Sequence, residues 1–115
     1  MSGHAAATAF LDRLRPEARA TFLAMRALAL SLGPDVEERS GGGELWYLRR
    51  GKPFAQLRGA RSNLSLVFPA GIALDDPMGR LMRRGEERLA SLDGPDAVDG
   101  HVQGFVRNAY AAVRT

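Results

Sequence analysis

The chain contains no cysteine, and lysine appears only once, as Lys52, among its sixteen basic residues. Without thiols there is no disulfide framework, no thiolate metal site and no thiol nucleophile. That composition is compatible with a reducing compartment. Long apolar runs are also missing: the longest, 22–32, is interrupted by Arg26 and Ser31 and is too short to span a bilayer. The start, Met1-Ser2-Gly3-His4, has no basic region ahead of an apolar one, so no secretory leader is expected. A cytoplasmic protein without a membrane partner is the expectation. Charge of one sign is scarce too. The net charge is only +3, less than a strong nucleic-acid binder usually concentrates.

What is present suits one domain. A length of 115 residues is enough to bury a core without metal or disulfide support, and 45% hydrophobic with 25% charged residues is near the globular average. The segment 45–69 organises the rest. Leu45-Trp46-Tyr47-Leu48, Phe54-Ala55-Gln56-Leu57-Arg58 and Leu64-Ser65-Leu66-Val67-Phe68 are short strand-like runs, punctuated by Gly51, Pro53, Gly59, Asn63 and Pro69. Such spacing predicts an antiparallel meander. Alternation puts Trp46 and Leu48 on one face, Leu45 and Tyr47 on the other. Leu64, Leu66 and Phe68 form the core face of the third run. In the middle run Phe54 shares a side with Gln56, and Ala55 with Leu57.

Helices flank the meander. One is expected over 5–14. A second opens at Pro16, carries Phe22, Met25, Ala29 and Leu32 on one stripe, and stops at Gly33-Pro34. Val36 begins an edge strand, and Gly41-Gly42-Gly43 is a turn. No Lys-Ser or Lys-Thr follows the triplet, so it fails the phosphate-loop template. Asp76-Pro77 reads as the start of a short helix ending at Gly85. The run 87–92 reads as a last edge strand, kept from pairing with other chains by its charges. Val98, Val102, Phe105, Ala109 and Val113 then make one helical stripe. The expected fold is α+β: a single domain over 1–115, with an antiparallel sheet of about four to five strands and N-terminal and C-terminal helices packed on it.

This order of pieces resembles a family. Met25-Arg26-Ala27-Leu28 leads to Gly33-Pro34-Asp35-Val36-Glu37-Glu38. Next come an aromatic strand ending at Arg50-Gly51-Lys52-Pro53, then Phe54-Ala55, Leu64-Ser65-Leu66 and Ala109-Tyr110. The series is similar to the small bacterial YdhG-like domains of unknown function and covers nearly the whole chain. The resemblance implies a compact α+β domain. One relative in that family is described as a frataxin-like iron chaperone that binds iron through surface acidic residues, which implies iron as a ligand. Glu37 and Glu38 match acidic positions after the first long helix.

Four kinds of chemistry can be weighed on the residues. For metal binding, Asp75 and Asp76 offer oxygen ligands suited to a hard cation, as does the adjacent pair Glu86-Glu87. His4 and His101 form no i, i+4 pair. For catalysis, Ser40, Ser62, Ser65 and Ser91 have no base placed beside them by any motif, which favours a non-enzyme. For nucleic acid, Arg49, Arg50, Lys52, Arg58 and Arg61 flank the meander turns, with Arg80, Arg83, Arg84 and Arg88 later in the chain. For a groove, Trp46 and Tyr47 must face opposite sides, so helices on one face leave one aromatic outside. Trp46, Tyr47 and Phe54 are therefore candidates for a small-ligand groove or a homodimer contact. The sequence reads as a non-catalytic binding or accessory domain for a metal or small ligand, with a basic nucleic-acid-associated module as the alternative.

Overall fold

The computed structural model describes residues 3–41, 43–60 and 63–113. Two helices come first: α1 (Gly3–Asp12) and α2 (Pro16–Ser31), the latter with Pro16 in its first turn as expected. The strands β1 (Val36–Gly41), β2 (Glu44–Arg49), β3 (Lys52–Ala60) and β4 (Asn63–Phe68) follow as a meander. Then come β5 (Met82–Arg84), β6 (Glu87–Leu92), a short 3-10 turn (Pro95–Ala97) and α3 (Gly100–Ala112). The sheet is antiparallel throughout and has six strands in the order β1-β2-β3-β4-β6-β5. No helix among the described residues is long and apolar enough to cross a membrane.

Two expectations are corrected. The sheet has six strands, not four or five, and the sixth is Met82–Arg84, inside the segment expected to be a helix. Asp76 does act as a cap, but of a turn. Its carboxylate accepts the N–H groups of Arg80 and Leu81, each at 2.9 Å. Gly79 and Gly85 then take positive φ, which ends any helical run and lets 82–84 pair with β6. The edge strand at this end is β5, and β6 lies inside it.

The second correction concerns Phe54. The β2–β3 register slips between Tyr47, opposite Ala55, and Leu48, opposite Pro53, so Phe54 is the extra residue of a bulge. The slip turns Phe54 to the helix side, where its ring meets Tyr110 edge-on at 5.6 Å. Gln56 remains on the opposite side with Trp46. Phe54 and Gln56 therefore do not share a face.

One core lies between the helices and one side of the sheet. It holds Phe10 of α1, Phe22, Met25 and Ala29 of α2, and Val102, Phe105, Val106 and Ala109 of α3. From the strands come Leu64, Leu66 and Phe68, as the alternation predicted, and Leu45, Tyr47 and Leu57, whose side alternation alone left open. At one end Arg49 joins β2 to α3: its guanidinium donates to Asp35, at 3.0 Å, and to the Tyr110 and Val113 carbonyls. It also stacks 4.1 Å over the Tyr110 ring. Tyr110 donates its hydroxyl to Asp35, and a Cβ at position 33 would collide with that hydroxyl, so only glycine fits there.

Candidate functional site

Charge on the helix-covered face is fully committed. Glu38 points inward from β1 and is buried. Arg26 of α2 grips it bidentately at 2.9–3.2 Å, and the Tyr47 hydroxyl donates to its Oε2 at 3.0 Å. Three donors on one carboxylate offset the cost of removing it from water. Burial, then the charge of Glu38, pushes the Tyr47 phenol well above its ordinary pKa.

The other face has no helix. All three helices pack into the one core, whereas Leu48, Val67 and Leu89 are buried outside it. The register aligns Arg39 with Trp46, Trp46 with Gln56, Gln56 with Val67, Val67 with Leu89, and Leu89 with Met82. One row thus crosses all six strands, about 24 Å at ordinary strand spacing, and only its Arg39 end is charged. Leu48 and Pro53 lie one row along. Trp46 is half-buried near one end of the row, and Met82 is 62% exposed at the other.

Charges of both signs border this strip. Among the described residues of the strands, Glu37, Glu44 and Glu87 share the face with Arg39, Arg58 and Arg84, three carboxylates and three guanidinium groups. Arg39 pairs with Glu37 at 2.9 Å. Arg58, on β3, contacts Glu44 of β2 at 3.5 Å and Glu87 of β6 at 3.1 Å, so its side chain lies over β4. Gln56 donates to Glu44, but its carbonyl Oε1 is buried without a partner among the described residues; Arg58 Nε is also buried and has only its 3.5 Å ion-pair contact with Glu44.

The structure distributes the residues singled out in the sequence as follows. Of the groove candidates, Trp46 alone reaches the open face. Tyr47 and Phe54 are wholly buried in the core and line no groove. Of the acidic candidates, Glu37 and Glu38 point to opposite faces of β1. Asp75 and Asp76 sit in the connection leading to β5, at the opposite sheet edge, and Asp76 is occupied by two backbone N–H groups. No three His, Asp or Glu side chains gather among the described residues. Of the basic candidates, Arg49 clamps α3, Arg50 lies 3.8 Å from Asp35, Lys52 is exposed and Arg58 is ion-paired. Arg61 lies outside the described residues.

Sequence reasoning missed Gln56, Val67, Leu89 and Met82 as members of one row. Val67 and Leu89 were visible as alternating residues, but their alignment needs the pairing of β6 with both β4 and β5. No protein-family model matches the chain, and neither the curated proteins nor the solved structures searched include a match.

Proposed function

We propose that this chain is a non-catalytic binding domain that docks on a second copy of itself through the open sheet face. The observation that carries this reading is the uncharged row from Trp46 to Met82 on a face where no described helix packs, with half-buried Trp46 and exposed Met82 as its accessible ends and Gln56, Val67 and Leu89 buried between them. Apolar strips bordered by polar groups are typical of association surfaces.

The occupant follows from charge. With equal numbers of carboxylates and guanidinium groups, largely paired among themselves, the face has little field to attract a polyanion or polycation. It is self-complementary under a two-fold axis near Gln56 and Val67. That operation sets Trp46 of one copy over Leu89 and Met82 of the other, an aromatic against a thioether and a leucine. It also brings the Glu37 and Arg39 end towards the partner's Glu87 and Arg84 end. The iron-handling role implied by the YdhG-like resemblance, and the nucleic-acid alternative, have no comparable support in side-chain placement.

Sedimentation equilibrium across a micromolar range tests the proposal. The native chain is expected to dimerise reversibly. Trp46→Ala, which removes the largest side chain of the row, is expected to weaken association at least about thirty-fold, a central hot-spot loss of roughly 2 kcal/mol. Met82→Lys adds charge at an already exposed position and is expected to weaken it similarly without lowering monomer stability. A strict monomer at millimolar concentration overturns the proposal.

A further inference from the structure

A cleft of about 260 Å³ lies between the turn after β4 and the outer side of α3, away from the open sheet face. Its floor is Phe105, with Pro77 and Met78 at the rim. Met78 is 71% exposed, a large apolar side chain left in water beside an apolar floor. One wall is α3 itself, at Gly100 and Gly104.

Gly104 has no structural reason to be glycine. It sits inside a helix at ordinary negative φ, and a Cβ built there meets nothing within 4 Å. Glycine at such a position costs about 0.5–1 kcal/mol of helix stability relative to alanine. What its missing side chain leaves is space, and that space is the cleft.

The polar lining sets the charge of an occupant. Arg80 is paired with Asp99, the N-cap of α3, at 3.0 Å, which ties the turn to the helix. Asp76 accepts two backbone N–H groups. Asp75 is exposed and makes no hydrogen bond or ion pair among the described residues. The cleft therefore presents one neutralised cation and two carboxylates, one of them uncommitted. His101 and Asn108 complete the mouth.

We infer that this cleft binds a small organic cation: an ammonium group on a compact aromatic or aliphatic body, with the ammonium at Asp75 and the body on Phe105 and Met78. The volume falls below the roughly 300 Å³ at which drug-sized sites begin, so the occupant is fragment-sized.

The test is NMR titration of the full chain with three probes that share a phenyl body: 2-phenylethylamine, neutral 2-phenylethanol and anionic 3-phenylpropionate. The expected result is saturable shifts from the amine, confined to residues 75–80 and 100–108, with binding at least about tenfold weaker for both analogues, the loss expected for one charge-assisted contact. Asp75→Asn is expected to lower amine affinity by about the same factor. Gly104→Leu is expected to abolish binding while the melting temperature holds or rises, which separates a filled cleft from a damaged fold. Equal or tighter binding of the propionate overturns the proposal, as do shifts scattered over the sheet or no shift at about 10 mM amine.

Discussion

The two faces of this sheet come from the same strands but solve different problems. The face under the helices carries Leu45, Tyr47, Leu57, Leu64 and Leu66, and its one buried carboxylate, Glu38, is held by three donors. The open face carries Trp46, Leu48, Val67, Leu89 and Met82, with the Gln56 carbonyl oxygen buried without a partner among the described residues. The covered side also leaves one buried polar atom without a partner among the described residues, the Thr21 hydroxyl of α2, so what distinguishes it is its buried charge, which is held by three donors. The contrast separates a face packed under three helices from one on which no described helix packs.

Truncating neighbours in β4 tests the contrast most strongly. Leu66 and Val67 are adjacent and equally buried, but Leu66 faces the helices and Val67 faces outward. Leu66→Ala is expected to cost about 4 kcal/mol in urea unfolding, since a rigid core leaves a cavity. Val67→Ala, measured at concentrations low enough to dissociate a dimer, is expected to cost about 1 kcal/mol, since the long Arg58 side chain that lies over β4 can settle into the space. Equal costs would make the open face a second core and erase the distinction.

Arg26→Ala comes next. It strands the Glu38 carboxylate on the covered face with only the Tyr47 hydroxyl, and a loss of about 3 kcal/mol is expected. Removing Arg39, which pairs with exposed Glu37 on the open face, is expected to shift stability by less than about 0.5 kcal/mol.

The pH profile sharpens the comparison with the smallest effect. Asp35 is held below the usual carboxylate range by its hydrogen bonds from Tyr110 and Arg49, and Asp99 by the Val102 N–H and Arg80. Asp76 is lowered by the Leu81 and Arg80 N–H groups. A depressed carboxyl means the unfolded chain takes up protons first, so stability is present above about pH 4 and falls as pH drops through the folded values. Tyr47 works in the opposite direction. Its raised pKa means the unfolded phenol ionises first, so stability falls as pH rises above about 10. Asp35→Asn is expected to flatten part of the acid limb in thermal melts, and Tyr47→Phe part of the alkaline limb. An unchanged profile in either variant would break the assignment.

How far the sequence could be read depended on the range of each cause. The α2 stripe and the Val102, Phe105, Ala109 stripe of α3 were legible because helical period is a local property, and both stripes are buried. The inward set of β4 was legible for the same reason, through alternation, whereas in β2 alternation grouped Leu45 with Tyr47 without saying which side they face. Asp76-Pro77 was not, because an Asp cap looks the same ahead of a turn as ahead of a helix. Only the pairing of Met82–Arg84 with β6 selects the strand. Phe54 was misassigned because a bulge belongs to two strands together and leaves no mark in either alone.

By itself, then, the sequence determined the order of the elements other than β5, the greasy stripes and the fact that one of two adjacent aromatics must face away from the helices. The tertiary structure decided which one: Tyr47 went inward, where Glu38 could accept its hydroxyl, and Trp46 outward. It also brought Trp46, Gln56, Val67, Leu89 and Met82 into one row. Residues so far apart along the chain become neighbours only through strand register, which long-range hydrogen bonding sets and no local pattern encodes.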